Sequence, residues 1–166
     1  DFFYLDVLSS IREFRVATNA IQAFNKPYLL GAHISEGNKL PSNESVKDII
    51  CAVDQSQLMG VILACVSYET VLINLKELQG LGVPFGFKLN AFITTKPDSG
   101  YTKAYEKNKS SNPKDFLGKR EDITPKKMLE IARLCKDTGA TIFGGCCETK
   151  TEHIRALADL KATAHD

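Results

Sequence analysis

The sequence has no tryptophan, almost no net charge and no apolar run near the ~20 residues that cross a bilayer. A formal net charge of +1 draws the chain neither to a phosphate backbone nor to anionic lipid. A general nucleic-acid binder or membrane-surface binder is therefore not expected. No secretory signal leads the sequence, and no initiator Met does. It opens at Asp1-Phe2-Phe3-Tyr4-Leu5, inside what reads as a strand, as a fragment, a processed product or a trimmed form would. An even, regularly spaced disulfide set is missing too, and so is a Cys-x-x-Cys pair. The five cysteines, Cys51, Cys65, Cys135, Cys146 and Cys147, fit a reducing, cytosolic setting in which thiols are buried, catalytic or metal-bound.

What is present is enough for one domain. The chain has 166 residues, 43% hydrophobic and 25% charged, the balance of an ordinary globular domain with a proper core. Short apolar stretches recur at Phe2 to Leu5, Tyr28 to Ile34, Met59 to Ala64, Pro84 to Phe92 and Thr141 to Phe143. They are mostly apolar rather than alternating, which predicts parallel strands covered on both faces.

Between them the period becomes helical. Ile11, Phe14, Ile21 and Phe24 share a face behind a Ser10/Glu13 capping box. Val46, Ile49, Ile50 and Val53 follow a Ser42-Asn43 cap. Val71, Leu72, Leu75 and Leu78 lead to Gly80 and Gly82. Met128, Ile131 and Cys135 follow Thr124-Pro125, an N-cap with proline at the first helical position. A last helix is expected from about Thr149, with Glu152 as box partner and Ile154, Leu157 and Leu160 on its buried face. Five βα units in a row predict an α/β fold with a parallel sheet and right-handed crossovers. Both a doubly wound sheet and part of a (β/α)8 TIM barrel accommodate them. The segment from Thr94 to Thr124, rich in Lys, Asn, Ser, Asp and Gly, is long for a connection in a compact domain. Asp98, Glu106, Asp115, Glu121 and Asp122 interleave with its lysines, so a solvated loop is expected.

Chemistry concentrates at Gly144-Gly145-Cys146-Cys147. Adjacent strand residues face opposite sides, so both sulfurs reach one ion only if the backbone turns there. The two glycines would allow such a turn. Cys65 likewise ends an apolar strand, at the sheet edge where α/β folds gather their ligands. Three such thiolates would make a catalytic zinc set with one open position; two small buried hydrophobes at a strand end is the competing reading. Cys51 and Cys135, inside amphipathic helical patterns, read as small core residues. His33 reads as structural or supporting, His153 as a helix residue bonded to backbone or solvent, and His165 as part of a tail.

The block Gly144-Gly145-Cys146-Cys147, with Thr149 and Glu152-His153-Ile154-Arg155-Ala156-Leu157 after it, resembles the signature of the homocysteine S-methyltransferase family. The strand ending in Cys65 is similar to the family strand that supplies the first zinc cysteine. Asp1 to Glu13 resembles the family's fourth strand and following helix, and Asn90-Ala91 the Asn-Ala that ends the seventh. The resemblance implies that residues 1–166 form a homocysteine-binding domain, a partial (β/α)8 barrel running from the fourth strand to the eighth helix.

It also implies zinc held by Cys65, Cys146 and Cys147, and Asp6 and Asn90 as substrate-binding residues. The implied reaction is methyl transfer from a small donor to the homocysteine sulfur, giving methionine in the cytoplasm. The absent N-terminal part of the barrel, or a second copy of the chain, is expected as partner, and the isolated chain is expected to turn over little. The chain departs from the family pattern at Ala64 (usually Asn), Glu148 (more often Gly), Thr151 (often Pro) and Asp6 (usually Glu). Two other functions compete: a non-catalytic zinc-binding partial barrel acting as an interaction module, and a thiol-redox protein built on Cys146-Cys147. The redox reading leaves Cys65 without a role.

Overall fold

The computed structural model describes residues 1–95 and 114–162. Within them β1 (Phe3–Leu8), α1 (Ile11–Ile21), β2 (Tyr28–Ala32), α2 (Val46–Ala52), β3 (Leu58–Val66) and α3 (Tyr68–Gln79) come first. Then follow β4 (Phe85–Leu89), the short α4 (Lys114–Leu117), α5 (Pro125–Asp137), β5 (Ile142–Gly145) and α6 (Thr151–Ala162). All neighbouring strands are parallel, and the sheet order is β1-β2-β3-β4-β5. The order never reverses, as it must at the switch point of a doubly wound sheet. Among the described residues β1 and β5 are each paired along one edge only. None of the described helices is long and apolar enough to cross a membrane.

One face of the sheet carries the core. Tyr28, Leu30 and Ala32 of β2, Val61 and Leu63 of β3, and Phe85, Phe87 and Leu89 of β4 join one cluster with helix residues such as Phe14, Ile49, Leu78, Met128 and Leu157. Phe87 meets Phe143 of β5 edge-on, ring centroids 5.3 Å apart. The alternate positions face the other way: Leu29, Ile62 and Ile142 are apolar, while Tyr4, Asp6, Gly31, Ala64, Gly86, Lys88 and Gly144 are small or polar. That second face is thus mixed, with Ile62 and Ala64 buried on it and a polar group gathered at Tyr4, Asp6 and Lys88. Gly86 shows how close its strands lie, since a Cβ there would stand 1.7 Å from the Ile142 carbonyl oxygen.

The helices keep their predicted order with altered ends. Ser10 caps α1 by accepting the Glu13 N–H at 3.1 Å, but Glu13 reaches back to the Ser9 N–H rather than to Ser10. The chain tightens after Ile21 into a 3₁₀ turn, which leaves Phe24 exposed against Phe3 instead of buried. For α2 the cap is Ser45, not Ser42-Asn43. Ser45 and Asp48 form a reciprocal capping box, while Ser42 is turned toward Ser9 and Glu44.

Val53, expected on the α2 face, is its extended C-cap, and Cys51, expected in the core, is exposed. On α3 the buried face is Thr70, Val71, Asn74 and Leu78, because the helix starts at Tyr68 after the Ser67 cap and turns Leu72 outward. Helix α6 starts at Thr151, two residues later than expected, and exposes Ile154. The loop expected from Thr94 to Thr124 includes residues 96–113, outside the described part, as is His165. Its far end is anchored: Arg120 pairs with both oxygens of Glu69, at 2.8 and 2.9 Å, and with Asp122.

Helix α5 matches its sequence signals end to end, with Pro125 at its start and Thr124 accepting the Lys127 N–H at 3.2 Å. Thr124→Ala removes that acceptor, and the loss should amount to about 1 kcal/mol of stability. A thermal melt should show a fall in Tm of about 3 °C; an unchanged Tm would mean the cap is dispensable.

Candidate metal centre

Three sulfurs converge at the C-terminal edge of the sheet. Cys65 Sγ lies 3.7 Å from Cys147 Sγ, and Cys146 Sγ lies 3.8 Å from Cys147 Sγ. All three atoms fall within 4.8 Å of one another.

Local backbone puts each of them there. In β3 Ala64 pairs with Lys88 and Val66 with Leu89, so Cys65 is the extra residue of a bulge. Its φ of +57° lies in the left-handed region, unusual for a residue with a side chain, and the bend aims the thiol off the strand line. Asn90 secures the bend: its Nδ2 donates to the Cys65 carbonyl at 2.7 Å and approaches Cys65 Sγ at 3.9 Å. Its Oδ1 accepts the Phe92 N–H at 3.0 Å, and the side chain is buried.

On the other side β5 runs through both glycines, and neither adopts positive φ. The turn expected at Gly144-Gly145 comes later, over Cys146, Cys147 and Glu148. Cys146 N–H still donates to Leu89 O, Cys147 O accepts from Ala91 N–H, and Thr149 closes back on Cys146 O through its N–H and its hydroxyl. Glu148 takes φ +62°, where a glycine would be at ease. Gly145 serves by lacking a side chain, since a Cβ there would meet Thr149 Oγ1 at 2.4 Å.

Charge in this cluster is shared unequally. Cys146 is pulled down to about 6, first by the hydrogen bond from Cys65 and further by the Lys88 charge. Cys65 is pushed far up by that same bond, by burial and by the negative charge of its neighbours. Cys147 rises through burial and the charge on Cys146. Three thiolates repel one another here unless a cation sits among them.

Zinc fits the spacing. Tetrahedral Zn–S bonds of ~2.3 Å set thiolate sulfurs ~3.8 Å apart, and the sulfur separations of 3.7 and 3.8 Å match that value.

The remaining sequence-derived residues take distinct places. Asp6, at the end of β1, is on the sheet face away from the helices and holds the Lys88 ammonium. Val7 beside it has φ +57°, in a second irregularity between Leu5 and Leu8. The side-chain amide of Asn90 is taken up by Cys65 and Phe92. His33 lies within hydrogen-bond distance of Ala64 O and Ser35 Oγ, and buried His153 bonds Ile123 O and the Lys150 N–H. Cys135 is buried in the core as expected, with its thiol pushed up to about 11 by burial.

Two neighbours escaped the sequence reading, Tyr4 and Lys88. The Tyr4 hydroxyl is buried beside the Asp6 carboxylate, and burial and then Asp6 push its pKa well up. The Lys88 ammonium stands 5.2 Å from the Tyr4 ring centroid. A lone lysine between Phe87 and Leu89 was the available signal.

The family model of homocysteine S-methyltransferase matches residues 1–160. The solved apo structure of the homocysteine methyltransferase MmuM from Escherichia coli aligns with a TM-score of 0.68 at 17% identity, a likeness that establishes the fold. The alignment covers 96% of this chain and 49% of that one, so the chain spans about half the length of that protein. No curated protein sequence matches the chain.

Proposed function

The chain belongs to the homocysteine S-methyltransferase family, and from that premise we propose that it forms the fourth-strand-to-eighth-helix part of a (β/α)8 barrel that methylates homocysteine to methionine in a zinc-dependent reaction. The observation that carries the proposal is the convergence of the Cys65, Cys146 and Cys147 sulfurs within 4.8 Å of one another, with Cys147 at 3.7 and 3.8 Å from the other two, the separation tetrahedral zinc sets. The unreversed strand order supports the barrel: right-handed crossovers between consecutive neighbours put every helix on one side. The unpaired edges of β1 and β5 are where the N-terminal strands of the barrel, or a second copy of the chain, would join.

Residues 1–166 are on this reading a homocysteine-binding domain working in the cytoplasm, where thiols stay reduced. Cys65, Cys146 and Cys147 would hold the zinc. Bound there, zinc supplies Lewis acidity that keeps a substrate thiol deprotonated at neutral pH. Asp6 binds the substrate amino group on the same sheet edge. Asn90 acts on the substrate at one remove, by holding the bend that presents Cys65.

The homocysteine thiolate attacks a methyl group carried on a positively charged nitrogen or sulfur. The new S–C bond forms as the bond to the leaving group breaks, and the donor departs neutral. No side-chain proton is needed at that step, so the protein contributes mainly alignment.

X-ray absorption at the zinc edge tests the proposal. With the N-terminal strands of the barrel restored, adding homocysteine should replace a light oxygen or nitrogen neighbour by a fourth sulfur at ~2.3 Å. Asp6→Ala should weaken homocysteine binding and leave zinc content unchanged. A spectrum that does not respond to saturating homocysteine would remove homocysteine as substrate and leave a zinc-binding module.

A further inference from the structure

One ion pair on the helix-free face of the sheet has no part in the methyl-transfer step. Asp6 at the end of β1 and Lys88 in β4 meet across the two strands between them, the Lys88 ammonium on the Asp6 carboxylate. Neither is sealed off, since the side chains are 37% and 18% exposed.

Glycines clear the space around them. A Cβ at Gly31 would lie 3.0 Å from Asp6 Oδ1 and 2.8 Å from Tyr4 Oη, and one at Gly144 would lie 3.5 Å from Lys88 Cγ. Lys88 is in register with Ala64 and with Gly144, immediately before Cys65 and just before Cys146 in the chain. The pair therefore sits beside the sulfur triangle on the face where a ligand anchored there would extend.

An amino acid carries an ammonium and a carboxylate on one carbon, the complement of an Asp–Lys pair. We propose that Lys88 is a specificity-determining residue that binds the α-carboxylate of a thiol amino acid, the Asp6–Lys88 pair opening to take the zwitterion between its two charges. This rests on the reading above, in which such a thiol is the methyl acceptor and Asp6 meets its amino group.

Opening exchanges one ion pair for two and leaves neither charge alone. A pair open to solvent contributes little by itself, so separating it is easy. The Tyr4 ring remains under the ammonium when the carboxylate has turned to the ligand.

Calorimetric titration of the zinc-loaded chain, completed by the N-terminal strands of the barrel, tests this with three thiols: homocysteine, 3-aminopropanethiol (no carboxylate) and 4-sulfanylbutanoate (no amino group). The wild type should bind 3-aminopropanethiol about tenfold or more weakly than homocysteine. Lys88→Met should weaken homocysteine and 4-sulfanylbutanoate by a similar factor and leave 3-aminopropanethiol no weaker. Lys88→Arg should keep most of the affinity for homocysteine.

Equal weakening of all three thiols by Lys88→Met would show a merely structural lysine and overturn the proposal; so would no weakening of any. Should Lys88→Met fail to fold, the wild-type series decides, because a carboxylate-free thiol that binds as tightly as homocysteine overturns it. Homocysteine binding that ignores Lys88 sinks this inference alone, whereas a completed, zinc-loaded barrel that binds no thiol sinks the methyltransferase reading with it.

Discussion

Cys146→Ser combined with Cys147→Ser should leave a purified chain that no longer holds stoichiometric zinc. Two of three sulfurs at mutual distances of 3.7 and 3.8 Å are lost, and the oxygens replacing them are harder, weaker ligands. Protein sites of this kind bind zinc with roughly 10–16 kcal/mol. Losing most of two ligands should weaken binding by about 10³-fold or more.

Cys65→Ser alone should weaken it less, since the two sulfurs of Cys146 and Cys147 remain. Exposed Cys51 and core-buried Cys135 are apart from the cluster, so their serine variants should retain the metal. Metal analysis after dialysis against a weak chelator reads all four. Full retention in the double variant would mean that the sulfur triangle is not the metal site.

Phe87→Ala should produce the largest loss of fold stability. Phe87 is fully buried at the middle of the helix-facing side of β4, edge-on to Phe143. Truncating such a ring removes ~3–5 kcal/mol, against a total of about 5–15 kcal/mol for a typical domain. Urea unfolding should show a midpoint lowered by a third or more with an unchanged slope. The next residue, Lys88, pairs in register with Gly144, so a loosened β4 should also blur the approach of β5. A loss below about 1 kcal/mol would mean the ring is not part of a tightly packed core.

How far residues alone lead is visible in particular cases. Strand positions were legible because Val, Ile, Leu and Phe cluster in short runs bounded by polar segments. Helix α5 was legible because Thr124-Pro125 and Gly139 mark both its ends. Faces were read less well. Phe24 was placed by period on a helix that in fact tightens before reaching it, and Leu72 follows from a start at Ser67 that no pattern of apolar residues fixes.

The convergence of the sulfurs was foreseeable in kind, since all three cysteines stand at strand ends. The device that produces it was not: bulging and left-handed φ at Cys65 and Glu148 depend on register with neighbouring strands. Lys88 lies 82 positions from Asp6, and only the sheet order brings β4 toward β1 with its Tyr4 and Asp6 across the same face.

The sulfurs of Cys65 and Cys147 touch although 82 positions separate them along the chain. An ion shared between them would tie β3 to the end of β5, and an unfolded chain would have to close that long loop before it could bind the same way. Metal affinity and sheet stability are then one free energy measured from two ends. Free metal at a hundred times its dissociation constant would add ~2.7 kcal/mol to the work of unfolding. A cell short of the ion would accordingly hold less folded protein as well as less loaded protein.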